Sequence, residues 1–297
     1  MLESVFKKLS PLTKNDWDYY TKMMTKNEFS ENPNFCSIAK LSCSSEYENF
    51  LELAKVYKMV KAYNKYASTI QPTSVDNFSF FRLNIFHILD SEINIPNRAF
   101  LPQEIASKIS ISRRNIRKIF PKSFKLPKNS VETTFFYCNA KVINGGIKNY
   151  TKYLEEMISF SKFTLDNKKL LALASQSTKT GDFMIKKIKK FDRQKTIVCH
   201  EVYLSFAAYF YHSIPSSRLY AVDLVEAKTR LPIKTVISIC HMDTSAWTEN
   251  HVTSKILKFS PGEGEACHWM SNVDLAWMAM IRLCVLDLLL SSHYKIN

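Results

Sequence analysis

The sequence contains little glycine and proline and no long hydrophobic run. Its 297 residues include 5 glycines and 10 prolines, which excludes a low-complexity or collagen-like chain. No apolar run approaches the ~18–20 residues that cross a bilayer, and the N-terminus shows no continuous apolar segment of the kind a secretory signal has. Because neither a Gly-x-Ser-x-Gly elbow nor a glycine-rich phosphate loop is present, we predict no catalytic residues.

Positive charge is what the sequence has in excess. Lysine and arginine number 41 against 27 acidic residues, a formal net charge of +14. Such a charge attracts nucleic acid, an acidic lipid surface or an acidic polysaccharide. We do not predict nucleic-acid binding, because the net charge is the single feature of the sequence that favours it. The cation cluster in residues 186–195 is predicted to be a solvated loop, and its candidate polyanion contacts are Lys186, Lys187, Lys189, Lys190 and Arg193.

The pattern along the chain predicts helices first and strands later. Residues 1–77 are a Lys- and Tyr-rich N-terminal extension with one basic helix over residues 47–69. In a globular domain over residues 78–277 we expect helices at 100–109, 131–139 and 151–163. After Thr196, short β-branched and aromatic segments alternate with turns, which predicts an antiparallel sheet. The predicted fold class is therefore α+β, and residues 278–297 are a C-terminal tail.

Four dipeptides of one kind dominate the strand region: Cys199-His200, Tyr211-His212, Cys240-His241 and Cys267-His268. Neighbouring side chains on a strand point to opposite faces of the sheet. We therefore expect the cysteines on one face, where they can form disulfides, and the histidines together on the other. Imidazoles suit copper or zinc, although the paired ligand spacing of zinc fingers is absent. The alternative is that the histidines are structural and hydrogen-bonded within the sheet.

These pairs and the segments around them resemble the BURP domain, in particular the non-catalytic β-subunit branch of polygalacturonase. The pairs are separated by 10, 27 and 25 residues, and the matching segments are YHSIPSSRLYAVDL (211–224), ICHMDTSAW (239–247) and CHWMSNVDLAW (267–277). The resemblance covers residues 78–277. It implies a secreted, non-catalytic cell-wall protein that associates with pectin or with polygalacturonase. Two N-glycosylation sequons, at Asn77 and Asn149, agree with secretion.

Other members of the family are described as copper-dependent peptide cyclases. The resemblance to them implies that the histidines of the four pairs bind copper: His200, His212, His241 and His268. A cyclase also needs a core peptide that ends in tryptophan or tyrosine, whereas the best candidate here, QPTSVDNF (71–78), ends in phenylalanine. We therefore favour the non-catalytic role and keep as the alternative a cyclase that acts on a core peptide from another chain.

Two tyrosines stand where the family pattern has cysteines. Tyr211 replaces the cysteine of one Cys-His pair, and Tyr150 replaces the second cysteine of an upstream pair that begins at Cys138. We hypothesise that the two missing cysteines formed one bridge with each other. An even set then remains for two disulfides of unspecified connectivity: Cys138, Cys199, Cys240 and Cys267.

Overall fold

The computed structural model describes residues 5, 7–25, 34–43, 72–74, 79–81, 86–87, 98–121, 134–135, 142–166, 169–175, 182–191, 195–249, 259–270 and 272–279. The predicted helix over 47–69, residues 280–297 of the predicted tail and Cys138 lie outside these ranges. Within the described residues, no helix is both long and apolar enough to cross a membrane.

The described helices are short and lie in the first part of the chain. They are α1 (Lys14–Thr25), α2 (Phe35–Ile38), α3 (Gln103–Ala106), α4 (Arg113–Ile119) and α5 (Leu154–Thr164). The helix predicted over 100–109 is thus present but shorter, and α5 confirms the one predicted over 151–163. Of the helix predicted over 131–139 the structure describes residues 134–135, both helical.

Within the described residues the strands form one small hairpin and two five-stranded sheets, and every pairing among them is antiparallel. They are β1 (Pro72–Ser74), β2 (Ser79–Phe81), β3 (Phe86–His87), β4 (Ile147–Thr151), β5 (Leu170–Leu173), β6 (Asp182–Lys190), β7 (Thr196–Val202), β8 (Ala208–Ser213), β9 (Ser217–Glu226), β10 (Pro232–His241), β11 (Ala266–Trp269) and β12 (Leu275–Ala279). Sheet I has the order β11-β10-β9-β6-β3 and sheet II the order β4-β8-β7-β12-β5. The predicted α+β class is confirmed.

The two sheets pack face to face. One core cluster contains Leu219 and Ile239 of sheet I together with Val198 and Ala276 of sheet II, all at most 1% exposed. The opposite face of sheet II is covered by α5, whose Met157 packs among residues of β7, β8 and β12. Sheet II is therefore buried on both faces, as the almost continuous apolar sequence of β7 and β8 requires.

Residues of the N-terminal extension share a core with the domain. Tyr20 of α1 and Phe35 of α2 are buried in one cluster with Ile105 and Ile116 of α3 and α4 and with Phe206. A disulfide, Cys36–Cys43, closes the segment around α2. Residues 12–25 and 34–43 of the extension thus pack as one body with residues 98–120 and the β7–β8 hairpin.

A buried group of charges joins the same two regions. Glu201 on β7 accepts from Lys8 at 2.8 Å and from Arg98 at 2.6 Å, both through the oxygen Oε1. Arg98, which is 0% exposed, also donates to the carbonyl of Leu204 at 2.6 Å. Because a buried carboxylate is costly unless it is paired, these two cations allow Glu201 to occupy the interior.

The cation cluster at residues 186–195 is not a loop throughout, so that prediction was wrong for its first half. Residues 186–190 belong to β6, which pairs with β9 on one side and with β3 on the other. A register shift between Ile185 and Lys187 marks a bulge, and it places Ile185 and Ile188 in the same partly buried cluster. The apolar residues therefore recur every three positions and hide the two-residue period of the strand.

Candidate functional site

Two histidines of sheet II lie on its inner face. In the β7–β8 register, Val198 is opposite His212 and His200 is opposite Phe210. Val198 belongs to the core between the sheets, and alternate residues of a strand share a face. Hence His200 and His212 both point towards sheet I.

Two histidines of sheet I point back at them. In the β10–β11 register, Ile239 is opposite His268, and Ile239 is also part of the core between the sheets. His241 follows Ile239 by two residues and so shares its face. The histidines of all four predicted pairs are thus brought to one end of the interface between the sheets.

The four imidazoles form a closed ring, which we call the histidine quartet: His200, His212, His241 and His268. The ring centroids of His200 and His212 are 5.3 Å apart, and those of His212 and His241 are 5.9 Å apart. His268 closes the ring, with its centroid 5.6 Å from those of both His200 and His241. The prediction that the histidines share a face is therefore confirmed, and they also meet across the two sheets.

An aspartate outside the Cys-His pairs orients His200. The Nδ1 atom of His200 lies 3.3 Å from Oδ2 of Asp274, while Oδ1 of the same carboxylate accepts from the backbone N–H of Glu201 at 3.2 Å. A carboxylate only accepts hydrogen bonds at neutral pH, so Nδ1 of His200 carries a proton. In a neutral ring the lone pair is then on Nε2.

The histidines of sheet I have the same arrangement. Nδ1 of His268 lies 3.2 Å from the carbonyl oxygen of Trp269, and Nδ1 of His241 lies 3.0 Å from Oγ of Ser217. The carbonyl requires a protonated Nδ1, and the hydroxyl is compatible with one. Outer hydrogen bonds of this kind fix the tautomer in which Nε2 can bind a metal.

The surroundings of His212 disfavour its protonation. Burial lowers its pKa well below the usual 6.5, and His200, His241 and His268 lower the pKa further. It is therefore neutral at pH 7. Its Nε2 lies 3.3 Å from Nε2 of His200, and its Nδ1 is buried with no hydrogen-bond partner among the described residues.

The imidazole nitrogens of the quartet suit copper or zinc as ligands. In the present arrangement, however, the distances between them suit an ion held by two of the four histidines. Two nitrogens bound at about 2.0 Å to one tetrahedral ion lie about 3.3 Å apart, which is the separation of the Nε2 atoms of His200 and His212. Among the described residues, no three His, Cys, Asp or Glu side chains already stand as ligands of one ion. Binding by the whole quartet thus requires His241 and His268 to move inward.

The cysteines lie on the faces that point away from the quartet. Cys240 and Cys267 are opposite each other in the β10–β11 register and form a disulfide. Cys199 occupies the equivalent place in sheet II, but the residue opposite it is Tyr211. Cys199 is a buried free thiol, and burial, followed by the charge of Asp274, raises its pKa. The prediction that Cys199 is bridged is therefore wrong for this structure, and Cys138 lies outside the described residues.

The hypothesis that the two missing cysteines were bridged to each other is wrong for this fold. In the β4–β8 register, Asn149 is opposite Tyr211 and Tyr150 is opposite Phe210. Tyr150 and Tyr211 therefore project from opposite faces of sheet II. The Tyr211 ring packs 4.1 Å from that of Phe160, beneath α5. A cysteine at position 211 would instead face Cys199 directly.

Sequence reasoning missed the residues that support the quartet. Asp274 and Ser217 come from strand ends far along the chain from the histidines that they contact, and no local pattern marks them. Asp243 caps a turn, where its Oδ1 accepts from the backbone N–H of Ser245 at 2.9 Å. Trp247 packs against the His241 ring with 5.5 Å between centroids and forms part of the wall around the site.

Residues 80–279 match the BURP domain. The match covers more than half of the chain, and it includes both sheets and all four members of the quartet. The chain is a BURP-domain protein. The matched range contains the three Cys-His pairs and the Tyr211-His212 pair.

Known BURP proteins from plants are similar to this chain at modest identity. BURP domain-containing protein 16 of Oryza sativa subsp. japonica is 26% identical over 271 residues, which are 84% of this chain and 77% of that protein. Polygalacturonase-1 non-catalytic subunit beta of Solanum lycopersicum is 29% identical over 63% of this chain. Polygalacturonase 1 beta-like protein 1 of Arabidopsis thaliana is 30% identical over the same share. The matches span 31% and 32% of the length of the two polygalacturonase-related proteins.

Proposed function

We propose that this chain is a non-catalytic cell-wall protein of the polygalacturonase β-subunit type, which associates with polygalacturonase, with pectin or with both. The observation that carries the proposal is the similarity of its BURP domain to proteins named as non-catalytic polygalacturonase subunits. The net charge of +14 supports it, because the galacturonate units of pectin are anionic and attract a basic protein.

Binding to each partner is tested separately. The purified chain is mixed with polygalacturonate, with fully methyl-esterified pectin and with a plant polygalacturonase, and complexes are detected by sedimentation velocity. We expect a complex with the enzyme or with polygalacturonate, the latter weakening as salt screens the charges. The neutral methyl ester is the matched control for charge. Sedimentation of the chain as an unchanged free species in all three mixtures would refute the proposal.

A second candidate function, copper binding, is favoured by the histidine quartet. The ligands would be Nε2 atoms of His200, His212, His241 and His268. The Nδ1 partners of His200 and His268 favour this tautomer, and that of His241 is compatible with it. Bound copper would supply one-electron redox chemistry, which the family's peptide cyclases use. Asp274 would hold His200 in position. Because His212 is neutral, copper would not have to displace a proton from an imidazolium there.

Copper binding is measured by titration with Cu(II) and by electron paramagnetic resonance of the bound ion. We expect one ion per chain, loss of binding in His200→Ala and His241→Ala, and about 10–100-fold weaker binding in Asp274→Asn. His87→Ala, which removes a histidine outside the quartet, is the control. Equal affinity in all of these variants would exclude the quartet as the copper site and would remove support for the cyclase alternative.

A further inference from the structure

The strongest unassigned surface feature is the exposed side of α4. Its cations Arg113, Arg114, Arg117 and Lys118 are all exposed, and none of the seven residues of the helix is acidic. Ile116 on the opposite side is 0% exposed and packs in the core beside α3. We call these four side chains the α4 cationic face.

The four charges form one patch on a fixed support. Residues four apart on a helix lie one above the other, about 6 Å apart along the axis, so Arg113 lies over Arg117 and Arg114 over Lys118 in adjacent rows. The side chain of Ser112 caps the helix by accepting from the N–H of Asn115 at 3.3 Å. The patch is therefore presented by an anchored helix.

The lysines that the sequence singled out are arranged differently. On β6, Lys187 is opposite Asp223 and Lys189 is opposite Ala221, whereas Lys190 is opposite Tyr220. The strand therefore divides these lysines between two faces. Lys187 also shares its face with a carboxylate, and Arg193 lies outside the described residues. The charge density of the sequence cluster is thus split by the sheet, while that of α4 is concentrated.

We infer that the α4 cationic face binds the carboxylates of an acidic polysaccharide, with polygalacturonate as the probe. Three of its four cations are arginines, whose planar guanidinium groups bind carboxylates through two parallel hydrogen bonds. The exposed positions of α4 hold no aromatic ring on which a nucleic-acid base could stack. The inference rests on the pectin arm of the proposed function and adds the surface that carries it.

Two variants with the same total charge test the position of the surface. The first is Arg113→Gln/Arg114→Gln/Arg117→Gln/Lys118→Gln, and the second is Lys186→Gln/Lys187→Gln/Lys189→Gln/Lys190→Gln. Each removes four positive charges, which lowers the net charge from +14 to +10. Affinity for immobilised polygalacturonate is measured by interferometry, and circular dichroism verifies that each variant is folded. We expect the α4 variant to bind roughly tenfold or more weakly and the β6 variant to stay within about threefold of wild type.

A third variant separates guanidinium geometry from charge. Arg113→Lys/Arg114→Lys/Arg117→Lys keeps the net charge and removes the planar groups, so we expect an affinity between those of wild type and the α4 glutamine variant. Double-stranded DNA is the competing polyanion. Binding of DNA as tightly as polygalacturonate, with equal losses in the α4 variant, would overturn the assignment to a polysaccharide.

The remaining outcomes are distinct from one another. If wild type binds polygalacturonate and the α4 and β6 glutamine variants lose affinity equally, the α4 surface is wrong and the proposed function stands. If the α4 glutamine variant binds like wild type, the inference is likewise refuted. If wild type does not bind polygalacturonate at all, the inference is refuted together with the proposed association with pectin. The proposed association with polygalacturonase is then unaffected.

Discussion

Replacing Glu201 with glutamine should destabilise the fold strongly, because it leaves two cations without their buried anion. The Glu201 and Arg98 side chains are 0% exposed, and one oxygen of Glu201 accepts from Arg98 at 2.6 Å and from Lys8 at 2.8 Å. Lys8 can lose its proton, but the guanidinium of Arg98 cannot. Removing one partner of such a pair costs about 3–5 kcal/mol, which corresponds to roughly 6–20 °C in Tm for a domain of this size.

Thermal and urea unfolding followed by circular dichroism measure the effect. Glu104→Gln is the matched control, because Glu104 is exposed on α3 and a surface substitution changes stability by about 0.5 kcal/mol or less. The triple variant Lys8→Met/Arg98→Met/Glu201→Met removes all three charges and should recover most of the loss. If Glu201→Gln unfolded at the same urea concentration as Glu104→Gln, the buried charges would not stabilise the packing of the N-terminal segment on the domain.

Three further predictions concern the ion pair and the cysteines. Burial lowers the pKa of Lys8 below its usual 10.5, although the charge of Glu201 raises it. Between the lowered pKa and about 10.5 the unfolded chain binds more protons than the folded chain, so the free energy of unfolding should rise with pH in this range. Urea titrations at several pH values should show this rise in wild type and not in Lys8→Met. Cys240→Ser opens a disulfide that spans 27 residues and should cost about 3–4 kcal/mol, and this difference between wild type and variant should disappear when both are reduced, since reduction opens Cys36–Cys43 in both. Tyr211→Cys should form a bridge with Cys199, seen as a missing thiol in a denatured thiol assay; Tyr211→Ser, which leaves that thiol titratable, is the control, and a reactive Cys199 in both would contradict the β7–β8 register.

The shared face of the histidines was predictable because it depends only on local geometry. Each Cys-His pair lies on a strand, and alternation alone sends the two side chains to opposite faces. Which strands become neighbours depends on contacts between distant parts of the chain, so the meeting of the two pairs of histidines was not predictable. The same limit applies to Asp274, which reaches His200 from beyond the last Cys-His pair.

The errors also have physical causes. The bulge between Ile185 and Lys187 breaks the two-residue alternation that identifies a strand. The high lysine content of β6 therefore led to the prediction of a loop. The Cys36–Cys43 bridge was missed because a spacing of two cysteines does not by itself specify a pair. The proposed ancestral bridge between positions 150 and 211 failed because a one-residue difference in register reverses the face of the sheet.

The register also shows why Tyr211 and the quartet are compatible. Each sheet places a directly opposed pair, Cys240 with Cys267 or Cys199 with Tyr211, on the face away from the histidines. The tyrosine side chain packs against Phe160, on the face of sheet II opposite to that of His212. The covalent bridge and the imidazoles are thus separable. Tyr211→Cys should accordingly alter stability while leaving Cu(II) affinity within about threefold of wild type, and a larger change in affinity would show that the two faces are coupled.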